Sequence, residues 1–378
     1  MKHLKRIMSD YMSLIKNLCL STALILVSTL VALFLIEFAL KTFVKNEGWD
    51  ATREANILRN FEFNYGVRSL LKSNTPIHIY KRNEFGLRDN CASTEEIEIL
   101  TVGGSTTDQR YVQFESTYQQ VLQRRLTTEY GFFGCVTNAG VDGHSTWGHI
   151  FSFEKWFPLI PNLSPSFVLL YVGVNDADFQ RQNEPMAGFD VIGSKNIKAR
   201  LKKLEIVQRL LPLYWYLKKF YGKERSWYSS HGREPLSLND YTVSMSSEST
   251  VSLVRENTVS FRRRFKRLLE QVKDLGASPI CVSQPHRYVI KKGDTNYGVE
   301  NVIKGGFSGI DYDQSIRAIN SVMAELCGVY FLDLYNFEFY TGDFYDGVHT
   351  NEAGSRRIGN AMADFLINAG IDTQLSYK

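Results

Sequence analysis

Cysteine is scarce and unpatterned. The five residues, at 19, 91, 135, 281 and 327, form no CxxC pair and take no zinc-type spacing with histidine, which argues against a metal cluster. Charge of one sign is lacking too. The 44 basic and 40 acidic residues leave a balance of +4, so there is no global nucleic-acid signature and any charge effect must be local. Internal repeats and low-complexity tracts are missing. With 44% hydrophobic, 13% aromatic and 22% charged residues, a disordered or fibrous chain is excluded. What is present is 378 residues, enough for one large domain or two ordinary ones. The last four cysteines read either as buried thiols or as partners in disulfides, and their spacing does not fix a connectivity.

Near the amino terminus, Asn17 to Ile36 runs twenty residues without a charge. At a 1.5 Å rise this matches a hydrocarbon core of roughly 30 Å. Lys2, Lys5, Arg6 and Lys16 stand before it against Asp10 alone. The positive-inside rule then gives a cytoplasmic tail over 1–16, a transmembrane signal anchor over 17–40, and the bulk of a single-pass chain on the periplasmic or extracellular side. A cleaved signal peptide would have a shorter apolar run and a small-x-small site, and a soluble core helix would keep a polar face.

Residues 41–94 read as a stalk and lead-in, ending in Asn83-Glu84-Phe85-Gly86-Leu87-Arg88-Asp89. Apolar runs of strand length follow at 97–104, 166–173, 278–284 and 328–334, with helical stretches at 116–129, 258–275 and 313–326. Near-continuous apolar strands alternating with helices predict a three-layer α/β/α sandwich with a mostly parallel sheet over 95–370. An insertion at 190–257 interrupts the rhythm. Within it Lys195 to Arg225 holds ten Lys or Arg against Glu205 and Glu224, a basic aromatic helix suited to anionic headgroups, to an anionic polymer, or to packing on the core. Residues 226–257 read as a loop or flap.

Four separated pieces carry chemical side chains. Gly103-Gly104-Ser105-Thr106 closes the first strand, where an open parallel sheet binds ligands and a following helix offers N–H groups. Asn138-Ala139-Gly140 follows a short strand at Cys135 to Thr137, and a glycine there lets its N–H approach a substrate oxygen. Gly173-Val174-Asn175-Asp176 closes the strongest strand and offers a neutral carboxamide donor. Asp346-Gly347-Val348-His349 sets a carboxylate three residues before a histidine, so that on one tight turn it accepts from one ring nitrogen while the other faces a nucleophile. Taken singly, each piece also reads as an ordinary turn or cap.

Together these blocks resemble the SGNH hydrolase superfamily, the GDSL-type esterases, over about residues 95 to 370. The first block reads Gly-Gly-Ser-Thr rather than Gly-Asp-Ser-Leu, and it and the lead-in Asn83 to Asp89 look similar to the membrane-anchored bacterial branch. The resemblance implies a flavodoxin-like sheet, with Ser105 as nucleophile, Asp346 and His349 completing a triad, and the Ser105 N–H, Gly140 and Asn175 as oxyanion donors. It implies a serine esterase with no metal or other cofactor. An envelope or extracellular glycan carrying acyl, above all acetyl, groups suits an anchored, outward-facing enzyme with aromatics such as Trp147, Trp156 and Tyr288. Gln284-Pro285-His286-Arg287, at the end of the third strand, is expected to face the same cleft, with His286 and Arg287 as substrate-binding candidates. An O-acyltransferase on a surface polysaccharide would use the same triad, and a glycan-binding scaffold would use the same fold without catalysis. The sequence gives no oligomeric state.

Overall fold

In a computed structural model, the structure describes residues 2–43, 48–49, 51–52, 55–66, 77–179, 236–303 and 305–370, together with 204, 206–207 and 210. The basic stretch 195–225 lies almost entirely outside the described residues, as does 226–235 of the expected flap. The chain divides into two compact units. One is built on helix α1 (Lys2–Phe43), whose segment Ile15–Leu40 has a mean hydropathy of 2.6 and is long and apolar enough to cross a membrane. The other begins at residue 48 and holds everything that follows here.

That unit is organised by strands β1 (Phe61–Gly66), β2 (Ile77–Arg82), β3 (Ile97–Gly103), β4 (Cys135–Asn138), β5 (Phe167–Tyr171), β6 (Tyr241–Val243), β7 (Ser278–Val282), β8 (Val289–Lys292), β9 (Thr295–Val299) and β10 (Phe331–Leu332). Five of them form one parallel sheet in the order β10-β7-β5-β3-β4. Counted within the sheet this is 2-1-3-4-5, the flavodoxin-like doubly wound order, whose switch point falls between β3 and β5. Strand side chains point alternately to its two faces. Leu100, Val102, Val168 and Leu170 therefore enter one core with Phe261, Phe265, Ile316 and Met323, while Ile99, Phe167, Leu169 and Val282 enter the other with Leu122, Leu126, Ile358 and Met362. The helices that supply these layers are α2 (Tyr118–Tyr130), α3 (Thr250–Asp274), α4 (Gly309–Cys327) and α5 (Glu352–Asn368). The three-layer sandwich expected from the sequence is present.

Boundaries differ where local chemistry intervenes. Helix α4 starts four residues before the expected Asp313, because Ser308 and Asp311 form a capping box in which the Ser308 N–H donates to Asp311 Oδ2 at 2.7 Å. The last sheet strand keeps only Phe331–Leu332 of the expected 328–334, since Gly328–Tyr330 forms a 3₁₀ turn. The stretch expected as a flap instead supplies β6 and the first turns of α3, and β6 joins β8 and β9 in a small antiparallel sheet of order β6-β9-β8.

The lead-in is no detached stalk. β1 and β2 form an antiparallel hairpin, and the chain then pairs Arg88 with Asn138 at the end of β4. Disulfides Cys91–Cys135 and Cys281–Cys327 settle the connectivity that spacing left open, the first tying the lead-in to β4 and the second tying β7 to the end of α4. Cys19 is free, on α1.

Candidate active site

The four predicted blocks meet at the carboxyl ends of the sheet strands. Ser105 heads a one-turn helix, Ser105–Asp108, directly after β3. Its approach needs glycine at 104, where a Cβ would lie 2.6 Å from Asn175 Nδ2 and 3.0 Å from the His144 carbonyl oxygen. Ser105 Oγ stands 2.7 Å from His349 Nε2, and His349 Nδ1 stands 2.7 Å from Asp346 Oδ2. An ionised carboxylate only accepts, so Nδ1 carries the proton and Nε2 is left to accept from the serine hydroxyl. Asp346 Oδ1 also accepts from the Val348 and His349 N–H groups, each at 2.8 Å, which fixes the turn on which acid and imidazole both sit. Burial pushes the Asp346 carboxyl up, but the His349 ring and these backbone bonds outweigh it and hold the pKa below the usual carboxylate value. The Tyr345 ring stacks flat on His349 at 5.5 Å.

Asn175 donates from Nδ2 to the His144 carbonyl at 2.8 Å, and its second amide hydrogen has no partner among the described residues. Gly140 differs from expectation. Its N–H donates to Asn138 Oδ1 at 2.8 Å, an Asx-type turn that satisfies the donor locally. The glycine is required there for space, since a Cβ at 140 would lie 2.3 Å from the Asp108 nitrogen. Asn138, which the sequence reading passed over, also donates from Nδ2 to the Thr107 carbonyl at 2.8 Å, joining the Gly140 loop to the Ser105 turn.

The His286 and Arg287 side chains are bonded to Asp313 and Thr341 rather than to Ser105, while the Arg287 N–H donates to the Gly347 carbonyl on the triad's turn at 2.6 Å. The His286 side chain is 3% exposed, donates from Nε2 to Asp313 Oδ1 at 3.0 Å, and accepts at Nδ1 from the Tyr288 N–H, so both ring nitrogens are committed inside the fold. Arg287 donates to Thr341 Oγ1 at 3.1 Å. Gln284 from the same segment does reach the site, donating to Thr106 Oγ1 at 2.6 Å and accepting from the Val174 N–H at 2.7 Å. It thereby spans from the serine turn to the loop of Asn175. Of the aromatics named as suiting a glycan, Trp156 is fully buried, with its indole N–H on the Phe85 carbonyl at 2.7 Å, and Tyr288 is buried as well.

Beneath Ser105 lies a buried ionic network. Asp108 Oδ1 accepts from Arg82 Nη2 at 2.5 Å and from the Tyr80 hydroxyl at 2.6 Å, while Oδ2 meets Arg110 at 3.1 Å. Burial raises the Asp108 pKa, and the arginines more than reverse that, leaving it lowered and the carboxyl ionised. Arg82 also donates to the Gly140 and Gly86 carbonyls, and Arg88 donates to those of Asp108, Gln109 and Val112. The lead-in thus clamps both the serine turn and the Gly140 loop.

No protein-family model and no curated protein matches the chain. Solved structures do. The chain is similar to the acetyl xylan esterase AlAXEase at 14% identity and a TM-score of 0.38, covering 71% of this chain and 98% of that one. A catalytic mutant of the acetylxylan esterase Axe2 from Geobacillus stearothermophilus matches at 15% identity and 0.37, covering 72% and 92%. A GDSL-like lipase from Bacteroides thetaiotaomicron matches at 14% and 0.35, covering 74% and 90%.

Two outcomes follow from the buried charges. Arg82→Met leaves the Asp108 carboxylate without its closest cation, so urea unfolding should show a loss of about 3–5 kcal/mol; a loss under about 1 kcal/mol would mean the clamp is not stabilising. His144 and His149 are fully buried neighbours whose pKa values burial lowers, His144 to about 4. The folded chain keeps both rings neutral while the unfolded chain takes up protons below about pH 6.5. Their contribution to stability is therefore complete above that pH and falls as pH drops toward 4, by about 1.4 kcal/mol per pH unit for each ring. Denaturation midpoints measured from pH 8 to pH 4 should decline from near pH 6.5, and His149→Gln should shift that decline.

Proposed function

We propose that the chain is a serine esterase of the SGNH, or GDSL, type. The observation that carries this reading is the unbroken hydrogen-bond chain from Ser105 Oγ through the His349 ring to Asp346, at 2.7 Å and 2.7 Å. His349 Nε2 takes the hydroxyl proton as Ser105 Oγ attacks an ester carbonyl, forming a tetrahedral intermediate. The new oxyanion is met by the Ser105 N–H, at the head of its helical turn, and by the second amide hydrogen of Asn175. The Gly140 N–H joins them only if it leaves Asn138 Oδ1. His349 then gives its proton to the departing alcohol, water repeats the sequence on the acyl-enzyme, and Asp346 holds the imidazole in one tautomer throughout.

The reading extends to location and substrate class. Helix α1 is proposed to anchor the chain with its basic amino terminus in the cytoplasm and the sheet-bearing unit outside. The disulfides Cys91–Cys135 and Cys281–Cys327 support an oxidising compartment. An O-acylated envelope or extracellular glycan is the ester proposed to be met there.

Ser105→Ala should abolish hydrolysis of p-nitrophenyl acetate, and Asn175→Ala should lower kcat by about 10²–10³ with an unchanged circular dichroism spectrum. Full activity in purified Ser105→Ala would reject the assignment.

A further inference from the structure

One cleft touches the triad from the side of its acid. It has a volume of about 610 Å³, and Asp346, Gly347 and Tyr288 form part of its lining. That size falls in the range of ligand sites. Its other walls come from the small antiparallel sheet and the segments flanking it, through Asp240, Thr242, Glu300 and Asn301. These walls are tied to the catalytic turn. The Tyr241 hydroxyl donates to the Arg287 carbonyl at 2.5 Å, and the Arg287 N–H donates to the Gly347 carbonyl at 2.6 Å. Gly347 itself lies so close under Tyr288 that a Cβ would sit 2.0 Å from the ring. A ligand in this cleft lies against the turn that carries Asp346 and His349.

The chemistry of the lining is one-sided. Asp240 Oδ2 accepts from the Ser237 N–H at 2.7 Å, and Glu300 Oε1 accepts from Thr242 Oγ1 at 2.8 Å. Each carboxylate is thus anchored by one oxygen, and the other has no partner among the described residues. No lysine or arginine lines the cleft among those residues. Anchored carboxylates accept from hydroxyl groups and repel anions, while the neighbouring Asn239 and Asn301 carboxamides both donate and accept.

We infer that this cleft holds the alcohol part of the ester, that it takes an uncharged polyhydroxyl chain such as a neutral glycan, and that Asp240 and Glu300 exclude polyanionic glycans. The inference rests on the esterase reading and adds a charge filter to it.

The test compares two acetylated oligomers of equal length on the full-length protein in detergent, O-acetylated cellotetraose and O-acetylated tetragalacturonate, with p-nitrophenyl acetate run alongside. The wild type should show kcat/KM at least about tenfold higher for the neutral oligomer. Glu300→Lys should raise the galacturonate-to-cellotetraose ratio about tenfold, mostly through KM. A ratio measured within one preparation is insensitive to partial misfolding. Equal ratios in wild type and variant, a wild-type preference for galacturonate, or hydrolysis of the aryl ester with neither oligomer cleaved would each overturn the cleft assignment and leave the triad standing. Aryl ester hydrolysis that survives Ser105→Ala would instead bring down the esterase reading itself.

Discussion

A carboxylate sealed beneath the helical turn of Ser105 imposes the central constraint of this structure. Asp108 is 1% exposed and three residues from Ser105, so it cannot stay ionised there without cations brought to it. Arg82 and Arg110 supply them. Arg82 also donates to the Tyr80 hydroxyl and to the Gly86 and Gly140 carbonyls. The hairpin that carries Arg82 is thereby bound to the serine turn and to the loop beside it, and the disulfide from Cys91 to Cys135 closes the same connection covalently.

With that floor fixed, the sheet topology explains why distant blocks meet. Strands β3 and β5 flank the switch point, and their carboxyl ends deliver Ser105 and Asn175 to adjacent positions. Gln284, arriving from β7, bonds to both neighbourhoods, and the turn after β10 brings His349 across to the serine hydroxyl. Each group comes from a different crossover, so the geometry at Ser105 depends on the whole parallel sheet rather than on any one loop.

Much of this was legible in the sequence because it obeys simple rules. The runs around Leu100, Leu169 and Ile280 are apolar on both faces, as a covered parallel strand requires, and Ser105, Asn175, Asp346 and His349 sit at their ends or on a tight turn. The lead-in was misread because β2 inverts the rule. His78, Tyr80 and Arg82 face inward while Ile79 is 56% exposed, so the buried side of this strand looks polar and its apolar side faces solvent. Charge pairing with Asp108, which no local pattern reveals, is what reverses it. The small antiparallel sheet escaped for a related reason, since β6 is three residues long and its Tyr241 pairs with Val299, far along the chain. Gly140 was expected as an oxyanion donor, and its hydrogen bond to Asn138 depends on a side chain whose orientation no spacing encodes.

The account stands or falls on whether Ser105 is an activated nucleophile. Peptide mass mapping after treatment with a fluorophosphonate measures this directly, because the reagent phosphonylates a serine oxygen only where a base has drawn off its proton. A single adduct on the peptide containing Ser105, lost in His349→Ala protein that still unfolds cooperatively, is the predicted result. An unmodified Ser105 in protein that continues to cleave acetyl esters would contradict it.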